Sequence, residues 1–460
     1  MKKIIFACFV SSVVFAAFSA FAANTLFAND EQWWQKATPE MLEEAIKENT
    51  DITASGPNGT TPLMMAAQNE NLELVNALLE HEANIEATDN SGATALMLAA
   101  KTNKNTKIVE TLLKHGAKVD TQDNNGQTAL MFAASENTKP EMTNILIKHL
   151  ANPNIKDKDN RTALMLALDH ASNPKIIEIF VKNAADLNAE DINGITPLMM
   201  AAQQNNPELV TTFIKNGAQI DKPDNAGTTA LMFAAKTNTT PKIIETLIKY
   251  GAQIDAQDNE GRAPLMFALA NNPKIEITEA LIKFGADINL KDRNGLTPLM
   301  WAARSAPSPK FIETLVKLGA DINARDNEDQ TPLLWAAKEN TNPDIAETLI
   351  LLKSDMDAVN AKGQNAAMCA AKSSKNPDVL DILVKHGINI NIQDNSGLTM
   401  FSTGIGSNKN PNVISKLLEY KAPVVTSPQE DIEAPQENEE ENEEENNDGA
   451  QLKDPVEAAK

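Results

Sequence analysis

The stretch Thr297-Pro298-Leu299-Met300-Trp301-Ala302-Ala303 decides the fold, because the chain repeats it along most of its length. Eleven copies, some close and some looser, follow one another at steps of 33 or 34 residues. Self-similarity at a fixed period of this size predicts a stack of small structural modules rather than independent globular domains. The copies begin at residues 61, 94, 128, 162, 196, 229, 263, 297, 331, 365 and 399.

Each copy is followed by a second apolar segment, so each unit is predicted to contain two short helices. In one unit, Asp258-Asn259-Glu260-Gly261 predicts a turn, Pro264 starts the first helix, and Gly285 predicts a left-handed end to the second. The Thr that opens the motif is expected to cap the first helix, with Pro at its first position. Asn-Pro pairs are expected to cap second helices in the same way, at Asn173, Asn206, Asn342, Asn376 and Asn410.

The order of turn, Thr-Pro-Leu-x-x-Ala-Ala, second helix and Gly-Ala-Asp-Ile-Asn (285–289) resembles the ankyrin repeat. The resemblance implies an all-α solenoid of about eleven helix–turn–helix units with β-turn or hairpin connections. Eight copies, from Met64 to Met300, have Met where the family usually has His. We therefore expect apolar contact in place of the family's hydrogen bonds between neighbouring turns. Most units also carry one additional residue, in a polar loop between the two helices.

Residues 1–22 are predicted to be an export signal. Lys2 and Lys3 precede an apolar run, and Ala20-Phe21-Ala22 offers small residues for cleavage after Ala22. The alternative is an uncleaved membrane anchor, since the apolar run is about long enough to span a bilayer. We favour cleavage, with only transient membrane contact, and an exported protein that is periplasmic or secreted.

The rest of the chain is predicted to form four parts. Residues 23–60 are a linker and an acidic capping helix that resembles a second helix without a first; Trp33 and Trp34 are expected to pack over the end of the stack. Residues 61–398 are ten repeats, and residues 399–423 are a degenerate C-terminal capping repeat. Residues 424–460 are an acidic tail of net charge −11, half of the formal −22 of the whole chain, and are expected to be disordered.

We favour structural roles for the residues that most often carry chemistry. Cys369 stands in an apolar helix position, and His81, His115, His149 and His386 stand at second-helix ends, where partial positive charge is favourable. The turn acids Asp120, Asp123, Asp157 and Asp159 lack the calcium-loop spacing, and the methionines of successive units suit core packing better than copper(I). We predict no cofactor.

Catalysis and nucleic-acid binding are not expected. The chain contains no phosphate-binding loop, nucleophile elbow or zinc spacing. Loss of Lys2 and Lys3 with the signal leaves a net charge of −24, which repels phosphate. A protein partner is therefore the expected ligand of a monomeric chain.

The resemblance implies that the partner binds the concave side, through turn tips and the exposed face of the first helices. The residue seven positions after each motif start should lie on that face. Lys236, Arg304, Lys338 and Lys372 are our predicted partner-binding residues, and the last three form a basic run in successive units. Alternatives are an ordinary solvated face, an anionic partner, or the chain's own acidic tail.

Two functions remain open from the sequence. The favoured one is an exported, non-catalytic scaffold that holds another protein. The alternative is a regulatory or inhibitory partner of an exported enzyme, or an effector delivered to another cell.

Overall fold

The computed structural model describes residues 31–47, 51–56, 58–102, 104–137, 139–169 and 173–420. The predicted signal (1–22) and acidic tail (424–460) lie outside these residues, as does His170, the remaining one of the chain's five histidines. Every regular element in the described residues is a helix, and turns without β-strands connect them. None of these helices is both long and apolar enough to cross a membrane.

Two helices precede the repeats, and two antiparallel helices form each of eleven units. The helices are α1 Glu31–Lys36, α2 Pro39–Lys47, α3 Pro62–Gln68, α4 Leu72–Glu80, α5 Ala95–Thr102, α6 Thr106–Lys114, α7 Ala129–Ser135, α8 Pro140–Lys148, α9 Ala163–Asp169, α10 Pro174–Lys182, α11 Pro197–Gln203, α12 Pro207–Lys215, α13 Ala230–Thr237, α14 Lys242–Lys249, α15 Pro264–Asn271, α16 Ile275–Lys283, α17 Pro298–Ser305, α18 Pro309–Lys317, α19 Pro332–Glu339, α20 Pro343–Leu351, α21 Ala366–Ser373, α22 Asp378–Lys385, α23 Met400–Ser407 and α24 Pro411–Glu419. Units 1 to 11 are the successive pairs from α3–α4 to α23–α24.

The motif Thr caps the first helix, and the motif Met completes that cap. Thr297 Oγ1 accepts the backbone N–H of Met300 at 3.4 Å, and Met300 Sδ accepts the N–H of Thr297 at 3.4 Å. Sulfur is a weak acceptor, so the Met contributes mainly by packing: Met64 and Met300 are fully buried. The predicted core role of these methionines is confirmed, and so are the Asn caps of second helices such as Asn342.

Neighbouring turns are hydrogen-bonded to one another, which corrects the expectation that apolar contact alone joins them. Each turn donates a backbone N–H to a carbonyl of the preceding turn, as Arg293 does to Glu260 at 3.0 Å and Ala361 to Glu328 at 2.9 Å. The same bond recurs from Asn90 to Asn395. Main-chain groups make these bonds, so replacement of the family's His does not remove them.

A second ladder of hydrogen bonds joins the loops between the two helices. In four of the 34-residue units a buried Asn nine positions after the motif start bonds to the preceding unit: Asn137, Asn238, Asn272 and Asn340. Asn340 Nδ2 lies 2.9 Å from the Ala303 carbonyl and 3.3 Å from that of Ala306. The 33-residue units 1 and 5 place a positive-φ residue at this position instead, Glu70 (φ 59°) and Asn205 (φ 56°). The additional residue in the longer units therefore lets this position take an extended conformation, whether it is Asn340, Ala306 or Ser374.

First helices pack against their neighbours more closely than second helices do at every joint between units, so the stack is concave on the first-helix side. At the joint between units 4 and 5, both the first helices and the second helices pack loosely. Leu168 occupies a position that holds Ala in most units, and a cleft of about 460 Å³ opens beside it. Regular packing is therefore locally interrupted near the middle of the stack.

The two ends differ in detail from the sequence-based expectation. A six-residue helix, α1, precedes α2, so the N-terminal cap has a short first helix after all, and Trp34 within α1 is fully buried. In the last unit, Gly404 stands where other units have Ala. A Cβ there would clash with Leu417 Cδ1 of α24 and would lie 3.1 Å from Ala371 Cβ of α21. Glycine thus permits the close contact of α23 with both α24 and α21.

Candidate partner-binding face

Two columns of side chains run along the exposed side of the first helices. Four positions after the motif start, the column is apolar and mostly half-buried, as at Phe267 and Trp301. Seven positions after the start, the column is mostly polar and at least partly exposed, as at Gln203 and Lys236. The spacing of three places both residues of a unit side by side on one helix surface. The structure therefore presents an apolar row beside a polar row on its concave side.

The two tryptophans of the apolar column are fixed by turn aspartates. Trp335 Nε1 donates to Asp326 Oδ2 at 2.8 Å, and Trp301 Nε1 donates to Asp292 Oδ2 at 3.1 Å. The other carboxylate oxygen of Asp326 accepts two backbone N–H groups of its own turn. These hydrogen bonds hold the indole rings against the turns. The faces of the rings contact the neighbouring basic residues.

Arg304 and Lys338 pack on these rings. The Arg304 guanidinium lies 4.9 Å from the Trp335 ring centre and 5.3 Å from that of Trp301, and Lys338 Nζ lies 4.3 Å from that of Trp335. Glu339 binds both cations, at 2.5 Å from Arg304 Nε and 3.9 Å from Lys338 Nζ. Attraction of cations to aromatic faces holds the long side chains in place without removing them from solvent. We call Trp301, Arg304, Trp335, Lys338 and Lys372 the basic–aromatic cluster.

Lys372 joins the cluster through a cleft between units 9 and 10. The cleft measures about 290 Å³, and Lys338, Lys362 and Lys372 line it together with Cys369. Burial raises the pKa of the Cys369 thiol to about 11, although the three lysines oppose the shift. The thiol is therefore protonated near neutral pH, in keeping with its predicted structural role.

The four residues predicted from sequence do not form one site. Arg304 and Lys338 share a tryptophan and a glutamate, and Lys372 shares a cleft with Lys338. Lys236 is exposed on α13, but unit 7 separates it from the others and has Ala270 at the equivalent position. The basic run is also partly neutralised, since Glu339 compensates its first two members.

The other polar groups have structural surroundings in the described residues. His81, His115, His149 and His386 each follow the last residue of a second helix. Asp123 Oδ1 accepts the N–H groups of Asn125 and Gln127 at 2.8 and 2.7 Å, which is the turn role predicted for it. No group of three or more potential metal ligands occurs in the described part of the chain. The larger cleft at units 4 and 5 contains Arg161, whose nearest carboxylate is that of Asp157 at 3.0 Å.

Sequence reasoning missed the tryptophans, Glu339 and Lys362 as members of this face. The tryptophans had a detectable signal, because they stand three positions before the predicted basic residues and so share their helix face. Glu339 and Lys362 had none, since they come into contact with the cluster only through the stacking of successive units.

Comparison with known proteins agrees with this architecture. The family model for ankyrin repeats (3 copies) matches residues 34–123, 103–191, 171–258, 238–326 and 333–427, which is most of the chain. The chain therefore belongs to the ankyrin-repeat family, whose members are generally scaffolds for protein–protein interaction and typically non-catalytic.

Among solved structures, the crystal structure of the ankyrin repeat domain of Bcl-3, described as a unique member of the IkappaB protein family, is 25% identical in sequence. The match covers 49% of this chain and 99% of that chain, with a TM-score of 0.43. No curated protein sequence matches the chain.

Proposed function

We propose that the protein is an exported, non-catalytic scaffold that holds another protein on the concave, first-helix face, with the basic–aromatic cluster at the centre of the contact. The observation that carries the proposal is the pair of indole rings bearing Arg304 and Lys338. Tryptophan and arginine are the residues most enriched among those that dominate binding energy at protein interfaces. Here they are pre-positioned on rigid helices, which lowers the entropy lost on binding.

The charge of the face selects the partner's chemistry. Lys362 and Lys372 have no carboxylate within ion-pair distance in the described residues, so they remain available to an incoming acidic group. The rest of the chain is strongly acidic, with a formal net charge of −22 overall. A partner with an acidic surface patch would be attracted to units 8 to 10 and repelled elsewhere, which orients its approach. Lys236 would contact only a partner long enough to extend to unit 6.

Export is supported by the predicted signal at residues 1–22 alone. Cell fractionation of the whole chain, compared with a variant lacking residues 2–22, tests it. We expect the whole chain to appear, shortened, in the exported fraction. We expect the variant that lacks residues 2–22 to remain in the cytoplasm. Equal distribution of both would contradict export.

The binding face is tested by charge reversal with a matched control. Arg304→Glu/Lys338→Glu/Lys372→Glu alters the cluster, whereas Lys249→Glu/Lys283→Glu/Lys317→Glu alters three exposed lysines at the ends of second helices. Proteins captured from the native exported fraction are compared quantitatively. We expect partners retained by the control to be lost at least about tenfold in the cluster variant, since truncating interface anchors commonly costs 2 kcal/mol or more.

A photo-reactive residue at position 372, with position 317 as the control, then identifies direct contact. We expect crosslinks to the captured partner from position 372 only. Loss of partners in both reversal variants, or crosslinks from position 317 alone, would assign binding to another face.

A further inference from the structure

The last described residues place the chain end against unit 10, which also carries Lys372 of the basic–aromatic cluster. Tyr420 donates its hydroxyl hydrogen to the Asp381 carboxylate, and Lys416 Nζ lies 3.2 Å from the same carboxylate. Asp381 belongs to α22 of unit 10, whose first helix carries Lys372. The described chain therefore ends against the second helix of unit 10, and the first helix of the same unit lines the cleft between units 9 and 10.

That cleft contains groups that lack a partner for their charge or hydrogen bonds. Its lining has three lysines and one glutamate, Glu328, so it is net positive. Gln330, only 3% exposed, also lines the cleft, and its side-chain oxygen has no hydrogen-bond partner. Buried amides are nearly always bonded, so this unpaired oxygen leaves the lining of the cleft incompletely satisfied. Ammonium groups donate hydrogen bonds and carry positive charge, so the lysines suit a carboxylate ligand.

The tail has the charge and the length to supply that ligand. Residues 424–460 contain thirteen acidic residues and two lysines, and eleven of the acidic residues lie between 430 and 448. From Tyr420 to Glu430 an extended chain reaches roughly 30 Å, and helices of neighbouring units pack about 8–10 Å apart. The first carboxylates can therefore reach the cleft, and the following ones can extend along the first helices to Arg304.

We propose that residues 424–460 bind in cis to the basic–aromatic cluster, with carboxylates of 430–448 in the cleft at Lys338, Lys362 and Lys372. The tail then occupies the face assigned above to the protein partner, on which proposal this inference rests, and competes with it. A partner must displace the tail. The face therefore retains only a partner that binds it more favourably than the tethered segment does.

Fluorine NMR of 5-fluorotryptophan-labelled protein tests the contact directly. Of the four tryptophans, Trp301 and Trp335 lie in the cluster, and Trp33 and Trp34 lie at the opposite end of the stack. Residues 23–460 are compared with residues 23–423 and with a full-length chain whose Glu and Asp between 430 and 448 are replaced by Gln and Asn. We expect both alterations to shift the Trp301 and Trp335 signals alike and to leave the other two in place.

Raising the salt concentration to 0.5 M should move the signals of the unaltered chain in the same direction, because screening weakens exposed ion pairs. In Lys362→Glu/Lys372→Glu, removal of the tail should cause no further shift, whereas in Lys283→Glu/Lys317→Glu it should act as in the unaltered chain. Unchanged Trp301 and Trp335 signals on tail removal would overturn the proposal. Shifts that depend on protein concentration would assign the contact to a second copy and overturn it equally.

A synthetic peptide of residues 430–448 measures the competition. It should bind residues 23–423 at least about tenfold more tightly than residues 23–460, because the tethered segment acts at a high effective concentration. Equal affinity for both proteins would contradict occupancy in cis. If tail removal leaves the tryptophan signals unchanged while the triple reversal still releases partners, only this inference fails. If the tryptophan signals shift on tail removal but the triple reversal captures the same partners as the unaltered chain, only the proposed function fails.

Discussion

The hydrogen bond between Trp335 and Asp326 offers a measurable test of how the binding face is held. Trp335→Phe keeps an aromatic ring but removes the indole N–H, which lies 2.8 Å from Asp326 Oδ2. Both residues are 8% exposed, so water cannot readily replace the lost donor. Hydrogen bonds to charged groups contribute roughly 1.5–3 kcal/mol. We therefore expect local unfolding of unit 9 to become easier by about 2 kcal/mol.

Trp301→Phe is the matched control. Its N–H lies 3.1 Å from Asp292 Oδ2, and its ring is only partly buried, so solvent can compensate for part of the loss. The expected cost is about 1 kcal/mol or less. Native-state hydrogen exchange of the amides in α17 and α19 is the suitable assay, because repeat stacks open unit by unit and a single unfolding free energy is poorly defined.

The outcome separates two explanations of the tryptophans. If the hydrogen bond matters, Trp335→Phe lowers the protection of α19 by at least about 1 kcal/mol more than Trp301→Phe lowers that of α17. Costs equal within about 0.5 kcal/mol would show that ring packing alone fixes the indoles, and the locked geometry inferred for the face would be refuted.

Three further predictions concern other residues of the stack. Asn340→Ala leaves the Ala303 carbonyl without its donor, so native-state hydrogen exchange should show a loss of about 2 kcal/mol confined to units 8 and 9. Because burial raises the Cys369 pKa from 9.0 to about 11, alkylation at pH 8 should be about a hundredfold slower in the native protein than in urea; equal rates would show an accessible thiolate. Burial opposes but does not prevent the lowering of the Asp394 pKa by hydrogen bonds from Gln364 and two backbone N–H groups. The stability contributed by the ionised Asp394 carboxylate is thus present above the unfolded-state pKa and is lost as the pH falls below about 4. In an acid titration followed by hydrogen exchange, Gln364→Ala should make that loss of stability smaller.

Local features could be predicted from the sequence because each unit repeats the same local interactions. The Thr caps, the Asn caps of second helices and the buried methionines depend on residues within a few positions of one another. Such contacts are set by helix geometry, and eleven copies make the pattern unmistakable. The fold class and the exposed column that contains Lys236 and Lys372 follow from the same local periodicity.

Contacts between units were harder to predict, because they join residues that lie far apart in the chain. The Arg304–Glu339 ion pair spans 35 positions, and the backbone bonds between turns depend on how closely two units approach. The short helix α1 was missed because six residues show too little periodicity to be recognised. Its existence depends on the burial of Trp34 against the first repeat.

The sequence by itself determined the number of units, the two helices of each unit and the residues that face the core, since all of these arise from short-range, repeated chemistry. The tertiary structure alone decided which cations are neutralised by Glu339, which lysines share a cleft, and where the stack loosens, at units 4 and 5. The physical reason is that a stack has only nearest-neighbour contacts, so each surface property depends on the pair of units that meets there.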